Sequence, residues 1–144
     1  MQIRDIMSPD YAVISSDATL QEAAQLMRDQ DIGMLPVTDA GQVVGTLTDR
    51  DLAMHAVAAG ADPLATTVAD AMTAGALRCF ADEDVQAAAE LMKSKKVRRL
   101  VVLDTEERIA GVVSVDDIAE KTDGAALAGE ILRAIAPEEH AAVR

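Results

Sequence analysis

The chain has 144 residues, half of them hydrophobic, which is enough to bury a core in one compact domain or in two small packed ones. The formal net charge of −12 would repel a polyanion, so nucleic acid is not an expected partner. The single cysteine, Cys79, excludes an internal disulfide, and we expect a buried structural thiol there rather than an exposed reactive one.

No segment of the sequence has the pattern of a membrane anchor. Charged residues or proline interrupt every apolar run well before the roughly 20 residues that a membrane-spanning helix needs. The start of the chain, Met1–Asp5, lacks the basic residues and the apolar stretch of a signal peptide. We therefore expect a cytoplasmic protein without a membrane partner.

The first half of the chain predicts the element order strand, helix, strand, strand, helix. The first helix places apolar residues at i, i+3, i+4 and i+7 from Leu20, the spacing of one helical face. Two short apolar runs follow, on either side of turn residues at 39–42, which predicts a hairpin. The elements are predicted at Tyr11–Ile14, Leu20–Arg28, Met34–Thr38 and Val43–Leu47, with a second helix from near Asp49.

The second half repeats the first, at an offset of 65 residues that becomes 66 after one extra residue within Thr105–Arg108. Repetition at a fixed period predicts two copies of one structural module, and a turn is where an insertion is tolerated. Because Leu100–Leu103 is apolar at every position, we expect that strand to be buried on both faces. The repeated elements are predicted at Val85–Lys93, Leu100–Leu103 and Ile109–Ser114, with a last helix from Val115.

A further amphipathic helix is predicted over Leu127–Ile135, ended by Pro137 and followed by a frayed tail at Glu138–Arg144. This helix either caps its own module or seals a dimer, and the sequence leaves both alternatives open. The predicted organisation is repeat 1 over residues 1–58, a linker over 59–67, repeat 2 over 68–122, and the helix and tail over 123–144.

The predicted fold class is α/β (α+β), with two βαββα repeats and a C-terminal helix. Each repeat has an apolar face on one side only, so the two are expected to pack face to face with pseudo-two-fold symmetry. Such packing leaves two equivalent clefts where the copies meet, and clefts of this kind are preferred ligand sites.

Each copy carries a hydroxyl and an aspartate three residues apart where a strand meets a helix. These are Thr48 with Asp51, and Ser114 with Asp117. A carboxylate accepts two hydrogen bonds, which suits the two hydroxyls of a ribose. The same spacing is also that of a helix capping box, and the two roles are compatible because the hydroxyl can cap while the aspartate reaches a ligand.

The densest basic cluster, Lys95–Arg99, holds four cations in an otherwise acidic chain and would attract an anion. Arginine binds phosphate bidentately, which makes Arg98 and Arg99 the candidate contacts, whereas a helix C-terminus by itself accounts for Lys95. The first copy has Gln30–Met34 at this place, without those cations. The sequence therefore predicts two unequal anion sites.

The duplicated segments together resemble the CBS domain, and residues 1–122 resemble a tandem CBS pair of the small stand-alone bacterial kind. No single segment is decisive, but their order, spacing and duplication are specific. The segments that carry the resemblance are Asp5–Ser8, Ile32–Val37, Gly45–Leu52, Val97–Asp104 and Gly111–Ile118.

The resemblance implies a regulatory module, not an enzyme, that binds an adenine nucleotide or adenosyl compound and signals to an unknown effector protein. It also implies a homodimer and no required cofactor. No metal site is expected, because His55, His140 and Cys79 share no metal-ligand spacing. The choice among AMP, ADP, ATP, S-adenosylmethionine, NAD and a signalling dinucleotide is left open. The alternative is a structural or dimerisation module whose clefts are filled by side chains.

The resemblance also assigns roles to the candidate residues. Ribose would be held by Asp51 and Asp117 with Thr48 and Ser114, and phosphates by Arg98 and Arg99 with Arg50. Adenine would lie against the segment of Gly33, Met34 and Pro36, where glycine allows a close approach. Ordinary strand packing is an equally good reading of that last segment.

Overall fold

The computed structural model describes residues 1–136, which form six α-helices, a short 3₁₀ helix at Ile3–Asp5 and two four-stranded sheets. The strands are β1 (Ser8–Pro9), β2 (Ile14–Ser15), β3 (Met34–Asp39), β4 (Gln42–Thr48), β5 (Thr73–Ala74), β6 (Arg78–Phe80), β7 (Arg99–Leu103) and β8 (Ile109–Ser114). The helices are α1 (Leu20–Gln30), α2 (Asp49–Asp51), α3 (Val68–Ala71), α4 (Val85–Lys95), α5 (Val115–Lys121) and α6 (Ala125–Ile135). Helix α2 continues as a π-helical segment over Leu52–Val57.

The predicted fold class and element order are confirmed, and most boundaries agree within two residues. Strands β3 and β4 form the expected antiparallel hairpin, closed by Ala40 and Gly41, which both have positive φ. The extra residue of the second repeat falls in the turn between β7 and β8. The predicted helix stop at Pro137 and the tail at Glu138–Arg144 lie outside the described residues.

The chain forms two compact units that differ from the two sequence repeats. The middle unit is Ala12–Ala76, and the terminal unit combines Met1–Tyr11 with the chain from Leu77 onward. The sheet of the middle unit has the strand order β2-β3-β4-β5, and that of the terminal unit has the order β1-β8-β7-β6. Each unit therefore completes its sheet with the opening strand of the other sequence repeat.

Two glycines make this exchange of strands sterically feasible. β1 pairs antiparallel with β8, and β5 pairs in the same way with β4. A Cβ on Gly111 would collide with the carbonyl oxygen of Ser8, and a Cβ on Gly45 with that of Thr73. Because glycine has no side chain, the short exchanged strand can approach its neighbour closely at both places.

Each unit has its own apolar core between its sheet and its helices. The core of the middle unit consists of Ile14, Leu20, Ala23, Met27, Leu35, Val37, Leu47, Ala56, Val68 and Ala71. The core of the terminal unit consists of Ile3, Ile6, Cys79, Val85, Ala88, Ala89, Met92, Leu100, Val102, Val113, Val115, Ile118, Ala128 and Ile131. In β7 the intervening residues are buried as well, which confirms a strand covered on both faces.

Helix α6 packs against α4 and α5 of its own unit, where Ala128 and Ile131 join the core. Ala89 on α4 lies four residues after Val85, on the face where the helical spacing predicts apolar contacts, and it is fully buried. Its counterpart on α1, Ala24, was predicted to face inward by the same spacing but is exposed. No helix among residues 1–136 is both long enough and apolar enough to cross a membrane.

Replacing Ile131 by alanine should destabilise the terminal unit by about 2–5 kcal/mol, because it leaves a cavity in the core. The matched control is Leu132→Ala on the same helix, where the side chain is 41% exposed and the expected loss is under about 1 kcal/mol. Urea unfolding of both variants measures the difference. Equal losses would contradict the packing of α6.

Candidate functional site

The two hydroxyl–aspartate pairs lie where a sheet strand passes directly into a helix, β4 into α2 and β8 into α5. Thr48 Oγ1 accepts from the amide of Asp51 at 3.0 Å, and Asp51 Oδ2 accepts from the amide of Thr48 at 2.9 Å. Ser114 and Asp117 repeat this pattern at 3.1 and 2.9 Å. The capping-box interpretation is therefore confirmed in both units.

The second oxygen of each carboxylate has partners of its own. Asp51 Oδ1 accepts from Thr73 Oγ1 at 3.1 Å and lies 3.6 Å from His55 Nδ1. Asp117 Oδ1 lies 3.1 Å from Lys121 Nζ. Asp51 and Asp117 are 7% and 8% exposed, and such buried carboxylates need partners of this kind. A carboxylate has about four acceptor positions, so each retains capacity for a further donor.

In the terminal unit, a small open pocket lies beside the start of α5. The amide of Val115 donates to the carbonyl of Arg98 at 3.0 Å, which holds the start of the helix against the basic segment. The pocket measures about 50 Å³, room for one or two water molecules, so within this unit it is a subsite and not a complete ligand cavity. It is lined by Arg98, Arg99, Ser114, Val115, Asp116 and Leu132.

The two arginines at this pocket are available to an external anion. Arg98 and Arg99 are exposed, and within residues 1–136 no carboxylate oxygen lies within 4.0 Å of either guanidinium. Their planar forks of N–H donors match the oxygens of a phosphate group. The pocket therefore offers guanidinium donors to an anion, beside the carboxylate of Asp116, which also lines it.

Tyr11 is a neighbour of this site that the sequence reasoning did not single out. Burial raises the pKa of the Tyr11 phenol, while the positive charge of Arg99 lowers that pKa and the negative charge of Asp117 raises it. These influences place the phenol within electrostatic range of both candidate ligand contacts. No motif distinguished Tyr11, because it lies far from both of them along the chain.

The equivalent place in the middle unit has Gly33 and Met34 instead of the two arginines, and it adds the carboxylate of Asp49. The amide of Asp49 donates to the carbonyl of Gly33 at 3.0 Å, the counterpart of the Val115 contact. A Cβ on Gly33 would lie 3.1 Å from Asp49 Oδ2, so this glycine makes room for a carboxylate. Arg50 is exposed on α2, and its amide donates to Asp49 Oδ1 at 2.8 Å. Asp49 was missed because it resembled an ordinary residue of a first helical turn.

Met34 and Pro36 lie on β3 and are both buried. They alternate with Leu35 and Val37, which belong to the core of the middle unit, so they occupy the opposite face of the strand. Their assignment to an adenine contact stays a prediction.

The structure brings the predicted residues together in two groups, one in each unit. Gly33, Thr48, Arg50 and Asp51 meet where β3 begins and β4 ends, and Met34 opens β3 beside them. Arg98, Arg99, Ser114 and Asp117 meet at the corresponding end of the terminal sheet. In the described part of the chain, no group of three or more His, Cys, Asp or Glu side chains is placed to hold a metal ion.

The family model for the CBS domain matches this chain twice, at residues 3–57 and 68–124. The chain therefore belongs to the CBS-domain family, as a tandem pair, a class of protein that is generally regulatory and not catalytic.

Among its relatives is hypoxic response protein 1 of Mycobacterium tuberculosis, 37% identical over 117 residues that cover 81% of each chain. The CBS domain-containing protein YhcV of Bacillus subtilis is 33% identical over 117 residues, which cover 81% of this chain and 82% of the relative.

Two solved structures extend the likeness to three dimensions. Hypoxic Response Protein I with two coordinated zinc ions superposes with a TM-score of 0.75 at 37% identity, over 83% of this chain and 97% of that one. The CBS domain pair of protein MJ0100, in complex with 5′-methylthioadenosine and S-adenosyl-L-methionine, superposes with a TM-score of 0.74 at 28% identity. That match covers 84% of this chain and 98% of the other.

Cys79 is buried, as predicted, and its Sγ donates to the carbonyl of Val101 at 3.8 Å. Burial, with a smaller contribution from the charge of Glu83, raises the pKa of the thiol to about 12.

Because the thiolate is the reactive form, thiol labelling of native protein at pH 8 should be about a thousandfold or more slower than that of a free cysteine. Urea should restore full reactivity, and rapid labelling without urea would contradict the prediction.

Proposed function

We propose that this protein binds an adenosine-containing ligand and reports its occupancy to a partner protein. The observation that carries the proposal is the duplicated buried carboxylate, Asp51 and Asp117, held at a strand–helix junction with acceptor capacity to spare. Membership of the CBS-domain family supports the proposal. So does the CBS domain pair of protein MJ0100, which is 28% identical to this chain and was solved with two adenosyl compounds bound.

The carboxylates are suited to ribose because they are already rigid. Each is held by a backbone amide and by at least one side chain, so little conformational entropy is lost when a sugar hydroxyl donates to it. Hydrogen bonds to a charged acceptor are stronger than neutral ones, and low exposure strengthens them further. Thr48 and Ser114 contribute indirectly by fixing the aspartates.

The arginines extend the site to phosphates. A chain of net charge −12 does not attract anions in general, so an anion is captured only where cations are concentrated. Arg98 and Arg99 provide that concentration in the terminal unit, and Arg50 is an exposed cation at the corresponding junction of the middle unit. Gly33, Met34 and Pro36 are assigned to the adenine ring in this proposal.

A second candidate function is a structural module that binds a protein without a ligand. It is favoured by exposed apolar side chains on the middle unit, where Met54 is 53%, Val57 77% and Leu64 64% exposed. Such side chains suit an interface with a second copy or with the effector. The two candidates are distinguished by whether any nucleoside stabilises the protein.

A thermal-shift screen against AMP, ADP, ATP, S-adenosylmethionine and NAD tests the ligand. At about 100 times its dissociation constant, a bound ligand adds about 2.7 kcal/mol and raises the midpoint by several degrees. Asp117→Asn and Arg98→Ala should each reduce the shift by more than half. The controls are Glu120→Gln on α5 and Lys95→Ala in the basic run, both exposed and both outside the pocket lining.

Because Asp117→Asn also weakens a helix cap, each variant is compared with its own ligand-free midpoint. A shift that survives in Asp117→Asn and Arg98→Ala but falls in the controls would refute the assignment of the site. If the folded parent shifts with none of the compounds, the protein-binding module is the better description.

The two units should bind phosphorylated ligands unequally. Calorimetric titration with AMP is expected to resolve one tight and one weak or empty site. The double variant Arg98→Gly with Arg99→Met, which copies Gly33 and Met34, should weaken AMP binding by about tenfold or more, because charged hydrogen bonds are lost. Adenosine, which has no phosphate, should bind the parent and the double variant alike. Equal affinities for AMP in the parent would contradict the prediction.

A further inference from the structure

Asp51 and Asp117 are here called the signature aspartates. In both units, the residue four positions after the signature aspartate is basic. In the terminal unit it is Lys121, whose Nζ lies 3.1 Å from Asp117 Oδ1 and donates to the carbonyl oxygen of Ile6 at 3.1 Å. One ammonium group thus joins the carboxylate to the opening segment of the chain. Since Ile6 precedes β1 closely, the contact also secures the exchanged strand in its own unit.

In the middle unit the same position is occupied by His55, on the π-helical segment after α2. Its Nδ1 lies 2.9 Å from the carbonyl oxygen of Ala71 and 3.6 Å from Asp51 Oδ1. Ala71 stands 65 residues after Ile6, at the repeat offset, so the contact is the counterpart of the one that Lys121 makes. The two units therefore contain the same three-part arrangement of carboxylate, base and backbone carbonyl.

The two bases differ in how they respond to pH. A lysine ammonium keeps its charge between pH 5.5 and 8, whereas histidine is the side chain that ordinarily gains and loses charge in that interval. The His55 side chain is 51% exposed, so its ring can exchange a proton with solvent. Because a carbonyl only accepts, Nδ1 is the donor to Ala71, and protonation at Nε2 adds charge without breaking that contact.

Within residues 1–136, Asp51 is the one carboxylate that lies within 4.0 Å of a nitrogen of the His55 ring. Helix α2 also carries Asp49, whose Oδ1 accepts from the amide of Arg50, and Arg50 itself, which is exposed. On α3, the other helix against this segment, the charged side chain is Asp70, which accepts from Thr67 Oγ1 at 3.1 Å. A proton taken up by His55 is therefore felt first by Asp51.

We propose that His55 and Lys121 are positioning residues for the two ligand-binding carboxylates, and that they make the Asp51 site pH-dependent and the Asp117 site pH-independent. The inference rests on the proposed function, since it assumes that these carboxylates accept from a ribose. It adds a difference in regulation between two sites whose aspartates, Asp51 and Asp117, occupy equivalent positions.

The direction follows from the geometry. A cation 3.6 Å from Asp51 Oδ1 competes with sugar hydroxyls for the negative charge of that oxygen. As pH falls from 8 to 5.5, the Asp51 site should therefore lose affinity for a ribose. An ion pair in which one partner is half exposed has a modest effect, so the expected loss is about twofold to fivefold. The Asp117 site, always paired with an ammonium group, should not change.

The probe is 5′-methylthioadenosine, because it has no phosphate group that would itself titrate near pH 6. Its affinity is measured by calorimetry at pH 5.5 and 8.0 in two backgrounds. Asp117→Asn reports on the Asp51 site, and Asp51→Asn reports on the Asp117 site. We expect a twofold to fivefold loss on acidification in the first background and none in the second.

Exchanging the two bases gives a reciprocal test. In the Asp117→Asn background, His55→Lys should abolish the pH dependence. In the Asp51→Asn background, Lys121→His should create it. A purely structural histidine would change stability in these variants without moving the pH dependence of binding. Affinity at the Asp51 site that is the same at both pH values, or a dependence that persists in His55→Lys, would overturn the inference.

A ligand-free measurement separates this inference from the proposed function. A double-mutant cycle of His55→Ala and Asp51→Asn in urea unfolding should give a larger coupling free energy at pH 5.5 than at pH 8.0. If the parent binds no 5′-methylthioadenosine at pH 8.0 while the coupling free energy is still larger at pH 5.5, that result would refute the proposed function and support the pairing of His55 with Asp51. Equal coupling at the two pH values would refute the pairing itself.

Discussion

The close backbone contact at Gly45 and Gly111 is the constraint on which the rest of the architecture depends. Each glycine lets a two-residue strand lie against its neighbour, Thr73–Ala74 beside β4 and Ser8–Pro9 beside β8. Those short strands are too small to hold a position by themselves. Their pairing places the opening segment of each repeat in the unit built mostly from the other. Once the segments are placed there, Ile6 and Ala71 lie beside the bases that approach the signature aspartates.

The aspartates combine a structural task with a chemical one. Oδ2 of each carboxylate caps the following helix, and Oδ1 meets a neighbouring side chain. This arrangement removes the conflict between the two interpretations of the Ser/Thr-x-x-Asp pattern, because a capping carboxylate keeps acceptor positions. Each unit therefore buries a carboxylate, which is unfavourable without polar partners. Thr73 and His55 are the partners of Asp51, and Lys121 is the partner of Asp117.

The two units use one backbone plan with different charges. Arg98 stands where the middle unit has Gly33, and Val115 stands where it has Asp49. In the terminal unit the junction therefore presents guanidinium groups, and in the middle unit it presents a carboxylate beside a glycine. The backbone hydrogen bonds that form the junction are the same in both units, while the side chains at these positions differ. In the proposed function, this difference in side chains is the reason that the two candidate sites differ in their preference for phosphate and in their response to pH.

The duplicated pattern predicted most of the fold, since the periodicity of Leu20–Arg28 and the apolar runs around residues 39–42 are local signals. The candidate residues were also found locally, because Thr48 with Asp51 and Ser114 with Asp117 share one spacing. Strands β1 and β5 were not predicted, as two residues carry no periodicity. Ala24 was wrongly predicted to face inward. Its counterpart Ala89 lies on α4, which packs against α6, and the apolar spacing within a helix does not show which of its positions another helix will cover.

The sequence by itself determined most of the elements and the family, and it supplied the candidate ligand contacts, because each of these is visible as a local pattern along the chain. The tertiary structure alone decided which segments complete each sheet and which groups surround the signature aspartates. The contacts of Lys121 with Ile6 and of His55 with Ala71 join residues 115 and 16 positions apart, and Tyr11 lies within the electrostatic influence of Arg99. Such contacts depend on how the chain folds back on itself, and no local pattern encodes that path.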